Sequence, residues 1–330
     1  MIRTGIISFE HMHAWGYAHA LQRCEETIFA AFAEEDPERR RTITKEFPAA
    51  RAFDSWKAML EKEPLDAVIV TSANTRHREH AVAAARAGKH VLCEKPIATT
   101  LKDARAIIEA CRKAGVKLQT AFPVRFCPAV TRAAQLIREG KLGRILAVKT
   151  TNHGSMPGGW FVDRKRSGGG AIMDHTVHVV DLLRSMLGEE VTRVYAEQTT
   201  RLHPLKVEDC GLLMLRMSGG SFVSLDTSWS RPASYKIWGD VTLSFKGTDA
   251  NLEVDCFPRL LHTYRNRDMR HQTQTGGDDY DLALVREFAA AIREDRAPLI
   301  TGEDGLRALE VALGAYRAIR DKRPVSLPLE

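Results

Sequence analysis

Short apolar runs of strand type alternate with helical stretches over the first third of the chain, and that alternation leaves few folds open. The runs fall at residues 4–8 (TGIIS), 27–33 (TIFAAFA), 67–71 (AVIVT), 90–93 (HVLC) and 116–122. Between them, helical patterns start near Ala14, run over 55–62 behind Ser55, over 76–87 before Gly88, and over 101–114 before Gly115. Ser55 is an N-cap residue type, and a glycine just past a helix supplies the left-handed turn that ends it. Strands separated by helices pair in parallel, so residues 1–122 are predicted to form an α/β domain of βαβ units on one parallel sheet.

After residue 122 the rhythm changes. A helix is expected over 128–139, a strand over 144–152, and a long helix opened by Gly168-Gly169-Gly170 and stopped by Gly188. Strand-type runs then follow one another to about Asp255: VTRVYAEQTT, CGLLMLRM, SFVSLDTSW, VTLSFKG and NLEVD. Ser218-Gly219-Gly220 is a tight hairpin loop between two of them. Closing helices are expected over 279–293 and 302–320. Residues 123–330 therefore read as an α+β domain on a large open, mainly antiparallel sheet, with the closing helix free to pack back on the first domain. An exposed face of that sheet is a natural interface for a homodimer or homotetramer.

Composition narrows the class. With 330 residues, 44% hydrophobic and 27% charged, the chain can bury two cores and reads as a soluble globular protein. The start, MIRTGIISFEHMH, lacks a signal-peptide layout, and no apolar run approaches the roughly 18 residues of a membrane span. Cysteines 24, 93, 111, 127, 210 and 256 are scattered, with no Cys-x-x-Cys pair. This argues against a disulfide framework or structural zinc and for a reducing, cytoplasmic compartment. The net charge of +6 is spread out, with small basic clusters at 38–41 and 265–270 that lack the aromatic interleaving of a nucleic-acid surface.

Candidate chemistry lies at strand ends and on one helix. In GKHVLCEKPIATT (88–100), Pro96 stops the strand and leaves Glu94 and Lys95 at its carboxyl end, where open parallel sheets bind ligands. Lys95 is either a group that polarises a substrate oxygen or a solvated lysine of a turn. The first loop departs from the strand–GxGxxG–helix pattern of dinucleotide sites, because Ser8 and Glu10 stand where the first two glycines would be. Ser8, Phe9, Glu10, His11 and Met12 remain the residues that would meet a pyrophosphate at the helix start, unless the turn binds nothing. Glu34 ends the second strand, where an acid takes a ribose hydroxyl and selects NAD; Arg39, Arg40 and Arg41 leave NADP open. Asp174, His178 and Asp181 share one face of the long helix. Three readings stand for them: an acid/base pair, satisfied core residues, or a metal site with His175, the last lacking a third ligand at recognisable spacing.

Taken together, TSANTRHREHAVAAARAGKHVLCEKPIATT (71–100), FPVRFCPAV (122–130), GGGAIMDHTVHVVDLLRSMLG (168–188) and TGEDGLRALEVALGAYRA (301–318) resemble the Gfo/Idh/MocA oxidoreductases, the family of glucose–fructose oxidoreductase and inositol dehydrogenase. The resemblance covers nearly the whole length. It implies an NAD(P)-dependent enzyme that moves a hydride to or from a secondary alcohol carbon of a sugar, cyclitol or related polyol. By the same resemblance Lys95 assists proton transfer, His178 is the base, and Asp174 orients substrate. Thr71, Ser72, Asn74, His77 and Glu94 fall on the cofactor side, and Arg125, His153 and Trp160 near the substrate. No metal, nucleic acid or membrane is implied. Two alternatives within the same fold are a glycosidase that retains its NAD and a non-catalytic dinucleotide- or sugar-binding regulator.

Overall fold

A computed structural model of the chain describes residues 1–235, 237–257, 260–265, 269–275 and 279–329. Part of the basic cluster noted at 265–270, residues 266–268, lies outside the described residues. The first sheet has six parallel strands in the order β3-β2-β1-β4-β5-β6. They are β1 (Ile2–Ile7), β2 (Thr27–Ala33), β3 (Arg51–Phe53), β4 (Ala67–Val70), β5 (His90–Glu94) and β6 (Leu118–Ala121). Their crossover helices are α1 (His13–Arg23), α2 (Pro37–Glu46), α3 (Trp56–Lys62), α4 (His77–Arg86) and α5 (Leu101–Ala114). The central strands are buried on both faces, which is why AVIV and HVLC read as continuous apolar runs.

Local signals start and stop these helices. The Ser55 side chain accepts from Ala58 N, the Thr100 side chain accepts from Asp103 N, and Gly115 closes α5 at φ 67°. Helix α2 was not expected from the pattern. It is set by its ends, with Asp36 accepting from Arg39 N and Pro37 in the first turn.

The second sheet runs β12-β11-β7-β10-β9-β8-β15. Its strands are β7 (Ile145–Ser155), β8 (Val191–Thr199), β9 (Cys210–Met217), β10 (Phe222–Arg231), β11 (Gly239–Gly247), β12 (Asn251–Asp255) and β15 (Val325–Ser326). A hairpin, β13 (Leu260–Arg265) with β14 (Arg270–Thr275), stands apart. All pairings of the large sheet are antiparallel except β7 with β10, which is parallel. Helices α6 (Pro128–Arg138), α7 (Arg164–Ser167), α8 (Ala171–Leu187), α9 (Tyr280–Arg293) and α10 (Gly302–Asp321) complete the chain.

Helix α8 covers one face of the large sheet and starts three residues later than its glycines suggested. Gly170 is the cap rather than part of the helix, and a Cβ there would sit 1.9 Å from Glu208 O. The Glu208 carboxylate takes the place of a capping side chain, accepting from Gly170 N at 2.8 Å and Ile172 N at 3.1 Å. Helix α9 packs on α1, and α10 packs on α5 and β6. Gln119 Nε2 donates to Leu284 O, and Thr120 Oγ1 to Thr301 O, so the closing helices tie the two sheets together.

Candidate active site

Two elements meet at the centre: the carboxyl end of β5 and the first turns of α8. Lys95 Nζ lies 2.6 Å from Asp174 Oδ1 and 3.3 Å from Asp174 O, and both side chains are nearly buried. The other Asp174 oxygen accepts from Trp229 Nε1 at 3.1 Å, and His175 Nε2 lies 3.2 Å from it. Burial alone would raise the Asp174 carboxyl, but Lys95 and His175 hold it well below its ordinary value. One helical turn on, His178 packs edge-on to Phe122, with ring centroids 5.9 Å apart. Burial, reinforced by Lys95, pushes the His178 ring well below the usual histidine range, so it is neutral near pH 7. Its Nδ1 is buried without a hydrogen-bond partner among the described residues.

These groups open into a cleft of about 430 Å³. Val124, Phe161, Trp238, Val241 and Phe257 give it an apolar wall, and Asn152 and Asp281 add polar groups. Burial raises the Asp281 carboxyl to about 6. His11 and His13 enter from the first loop. Burial keeps His11 well below the usual range, whereas Glu94 overcomes burial at His13 and raises it. Candidate ligand atoms of His11, His13 and Glu94 lie within 4.8 Å of one another, close enough for a metal. Their protons argue for a hydrogen-bonded cluster instead. His11 Nδ1 accepts from His13 N at 3.1 Å, so the neutral ring carries its proton on Nε2. Glu94 is held by the Tyr17 hydroxyl at 2.6 Å and by its own neighbour, Lys95 N, at 2.9 Å.

A second cleft, of about 190 Å³, runs along the carboxyl ends of β1 and β2. Ser8, Glu10, Glu34, Glu35, Asp36, Arg39, Arg76 and His80 line it with Trp56. Ser8 has φ 71°, the left-handed conformation for which this turn ordinarily uses glycine. Glu34 is buried and fully engaged: Phe9 N donates to it at 2.8 Å, Asp36 N at 2.9 Å, and Arg39 Nη2 at 3.0 Å. His80, lowered to about 3 by burial, has an Nε2 without a partner among the described residues.

The candidate residues from the sequence divide between these places. Ser8, Glu10 and Glu34 reach the smaller cleft, and His11, Met12, Lys95, Asp174 and His178 the larger one. Phe9 instead turns into the core against Trp15, Phe32 and Phe47. Thr71 donates to Ser8 O, Ser72 bonds His80 Nδ1, Asn74 donates to Ser167 O, and His77 sits between Ser72 O and Pro96 O. These four brace the loops from within and line neither cleft.

Besides these cofactor-side residues, three placements on the substrate side need correction. Arg125 does not reach the larger cleft; Asp181 clasps it at 2.7 and 2.6 Å, with Asp304 at 3.3 Å and Leu299 O at 3.1 Å. His153 points to the opposite face of the large sheet, bonded to Asp240 and Asp226, which overcome burial and raise it to about 9. Strand alternation is the reason: it is Asn152, one residue earlier, that faces the cleft. Trp160 stacks on Phe161 and donates from Nε1 to Glu10 O at 3.0 Å, so it braces the first loop.

The sequence reading missed Asn152, Tyr17, Trp229, Trp238 and Asp281. Period-two alternation along β7 could have found Asn152; the others come from distant elements with no local signal.

Comparison with known proteins gives a consistent picture. A family model described as the oxidoreductase family with NAD-binding Rossmann fold matches residues 1–122, and one for the GFO/IDH/MocA C-terminal domain matches 130–253. The chain is 30% identical to the 1,5-anhydro-D-fructose reductase of Ensifer adhaerens, covering 93% of this chain and 96% of that protein. It is 27% identical to the myo-inositol 2-dehydrogenase of Thermotoga maritima, covering 99% and 98%. Among solved structures, an aldose–aldose oxidoreductase from Caulobacter crescentus complexed with glycerol matches with a TM-score of 0.83 at 27% identity, covering 99% of each chain. GenD2 from gentamicin A biosynthesis, in complex with NAD, has the same fold, with a TM-score of 0.90 at 22% identity, covering 99% of this chain and 97% of that one.

Proposed function

The chain belongs to the Gfo/Idh/MocA oxidoreductases, and we propose that Lys95, Asp174 and His178 carry its reaction, a hydride transfer between NAD and a secondary alcohol carbon of a sugar, cyclitol or related polyol. The observation that carries this assignment is the pairing of a clamped Lys95–Asp174 ion pair with a neutral, unpartnered His178 in one cleft.

The residues fit a dinucleotide. Ser8 keeps the left-handed turn, an acidic group ends β2, and the cleft beside it holds an orphaned His80 Nε2. Ser8, Arg39 and His80 would hold the adenosine half, and His11, Met12 and His13 would border the nicotinamide half. Glu34, Glu35 and Asp36 crowd the ribose end with negative charge, which favours NAD over NADP. A bound nicotinamide would supply the acceptor for a hydride leaving the carbinol carbon, or its donor in reduction.

The protein's part is position and proton handling. Trp229 and Lys95 fix both oxygens of Asp174, and Asp174 in turn fixes the lysine. Lys95, so paired, donates a hydrogen bond to the substrate oxygen. His178, kept neutral, takes the hydroxyl proton on its imidazole ring or gives it back in reduction. The apolar wall covers the C–H face of a sugar ring and keeps water from the reacting carbon.

Two wider features belong to the same proposal. Leu212, Met214 and Phe222 are about half exposed on the face of the large sheet away from α8, and this face suits a homo-oligomer. Six free cysteines, five of them buried, and the lack of any described helix long and apolar enough to cross a membrane fit the cytoplasm.

Lys95→Met tests the assignment. Turnover of the best polyol in a screen is expected to fall by about 10²–10⁴-fold, while calorimetric NAD affinity stays within a few-fold. Undiminished turnover removes Lys95 from the chemistry. Absence of nicotinamide nucleotide binding by the unaltered protein sinks the dehydrogenase reading.

A further inference from the structure

The loop between β1 and α1 is where a Rossmann domain ordinarily receives a pyrophosphate, on backbone N–H groups at the start of the helix. Here all of those groups except Met12 N are committed elsewhere. Ser8 N donates to Ala33 O at 2.8 Å and His11 N to Thr71 O at 3.0 Å. Phe9 N donates to Glu34, Glu10 N to Ser8 Oγ at 3.2 Å, and His13 N to His11 Nδ1.

In their place the protein supplies an anion of its own. Glu10 Oε2 accepts from Ala73 N at 2.9 Å, across the sheet's ligand-binding edge. Glu10 Oε1 is clasped by the Arg166 guanidinium, and Trp160 Nε1 anchors the Glu10 carbonyl at 3.0 Å. Arg39 and Arg76, which line the same cleft, both feel the Glu10 charge. A carboxylate held by one backbone amide and one arginine, with two further arginines close by, occupies the kind of donor set that binds a phosphate.

We propose that Ala73 N–H and Arg166 are the pyrophosphate site of this chain, and that the Glu10 carboxylate fills it until the dinucleotide displaces it. The inference rests on the dinucleotide reading above. Binding exchanges one acceptor for another: Ala73 N–H and Arg166 leave the carboxylate and take phosphate oxygens. Arg166 is 41% exposed at its side chain, so it can follow an incoming ligand without leaving a buried position. Arg166 and Trp160 belong to the 159–167 segment of the second domain, so the same exchange turns a tie between the domains into a contact made through the ligand.

The sign of one substitution decides the matter. If Glu10 only braces the loop, removing its charge weakens nucleotide binding or leaves it alone. If Glu10 competes with the pyrophosphate, removing its charge tightens it. Glu10→Gln keeps the shape and an acceptor for Ala73 N–H. By calorimetry this variant is expected to bind ADP-ribose and NAD at least about tenfold more tightly, since a like charge beside the phosphates is gone. Adenosine, which has no phosphate, is expected to bind as before.

Arg166→Met in otherwise unaltered protein provides the second test and does not depend on the first variant folding. It is expected to weaken ADP-ribose about tenfold and spare adenosine. An unchanged or weaker ADP-ribose affinity in Glu10→Gln, or an equal gain for adenosine, overturns the proposal while leaving the dehydrogenase reading intact. So does an ADP-ribose affinity unchanged by Arg166→Met. If neither the unaltered protein nor Glu10→Gln binds any dinucleotide, the dinucleotide reading and this inference both fall. Binding by the variant alone makes Glu10 a permanent occupant of the site, which overturns the displacement and, with it, the dehydrogenase reading.

Discussion

The first loop and the larger cleft meet at His11, Met12 and His13 yet differ in how their polar groups are satisfied. From Ser8 to His13 the donors other than Met12 N and His11 Nε2 are paired inside the protein, and even the Glu10 carboxylate has its partners. Around α8, His178 Nδ1 and Asn152 Oδ1 are buried with no partner among the described residues. An unmet buried polar atom costs about 1–3 kcal/mol, and at a residue that lines a cleft a bound ligand can supply the missing partner. A saturated group contributes stability already present in the free protein. An unsaturated one contributes when substrate arrives. Substitutions in the two regions should therefore report on different quantities.

The largest effect is expected on the unsaturated side. His178→Asn should lower kcat by about 10²–10⁴-fold with little change in thermal stability. Because the ring sits well below the usual histidine value, its basic form persists as pH falls through 6.5. The rate of alcohol oxidation should stay level there and decline only at lower pH, and the variant should lose that acidic limb. A pH profile of kcat with its limb at or above 6.5 would break the assignment.

Farther along α8, beyond the cleft, Asp181 is fully paired, and there the expected loss is in folding. Arg125→Met strands the buried Asp181 carboxyl, which burial has already raised to about 6 against the pull of Arg125. The expected cost is about 3–5 kcal/mol in urea unfolding at pH 8. It should shrink on acidification, since the stranded carboxyl can then take a proton. A loss under about 1 kcal/mol would mean that Arg125 is not committed to this pair.

The smallest effect belongs to the turn itself. Ser8→Gly relieves a residue held at φ 71° but removes the acceptor for Glu10 N. Stability should rise by no more than about 1 kcal/mol, read as a small increase in Tm. A clear loss would show that the Ser8 hydroxyl matters more than the backbone strain.

Much of this was legible in the chain. The strand–helix alternation of residues 4–122 set the parallel sheet, and Pro96 set where β5 ends and so where Lys95 stands. The spacing of Asp174 and His178 put both on one helix face, and the fold carried that face to Lys95. Other residues were misplaced for identifiable reasons. His153 was assigned to the cleft without counting the alternation along β7, which gives that place to Asn152. Asp181 shares the helix face of Asp174 but lies two turns on, beyond the cleft, where Arg125 takes it.

What the sequence determined by itself was periodic or local: helix and strand order, most caps and stops, the end of β5, and the departure from glycine at Ser8 and Glu10. Backbone sterics and short-range hydrogen bonds act over a few residues, so a few residues suffice to read them. The tertiary structure alone decided which side chains became partners. Ala73 and Arg166 reach Glu10 from 63 and 156 residues away, and Trp229 reaches Asp174 from 55. Such pairings depend on where the two sheets and α8 come to rest against one another, and packing over the whole molecule sets that.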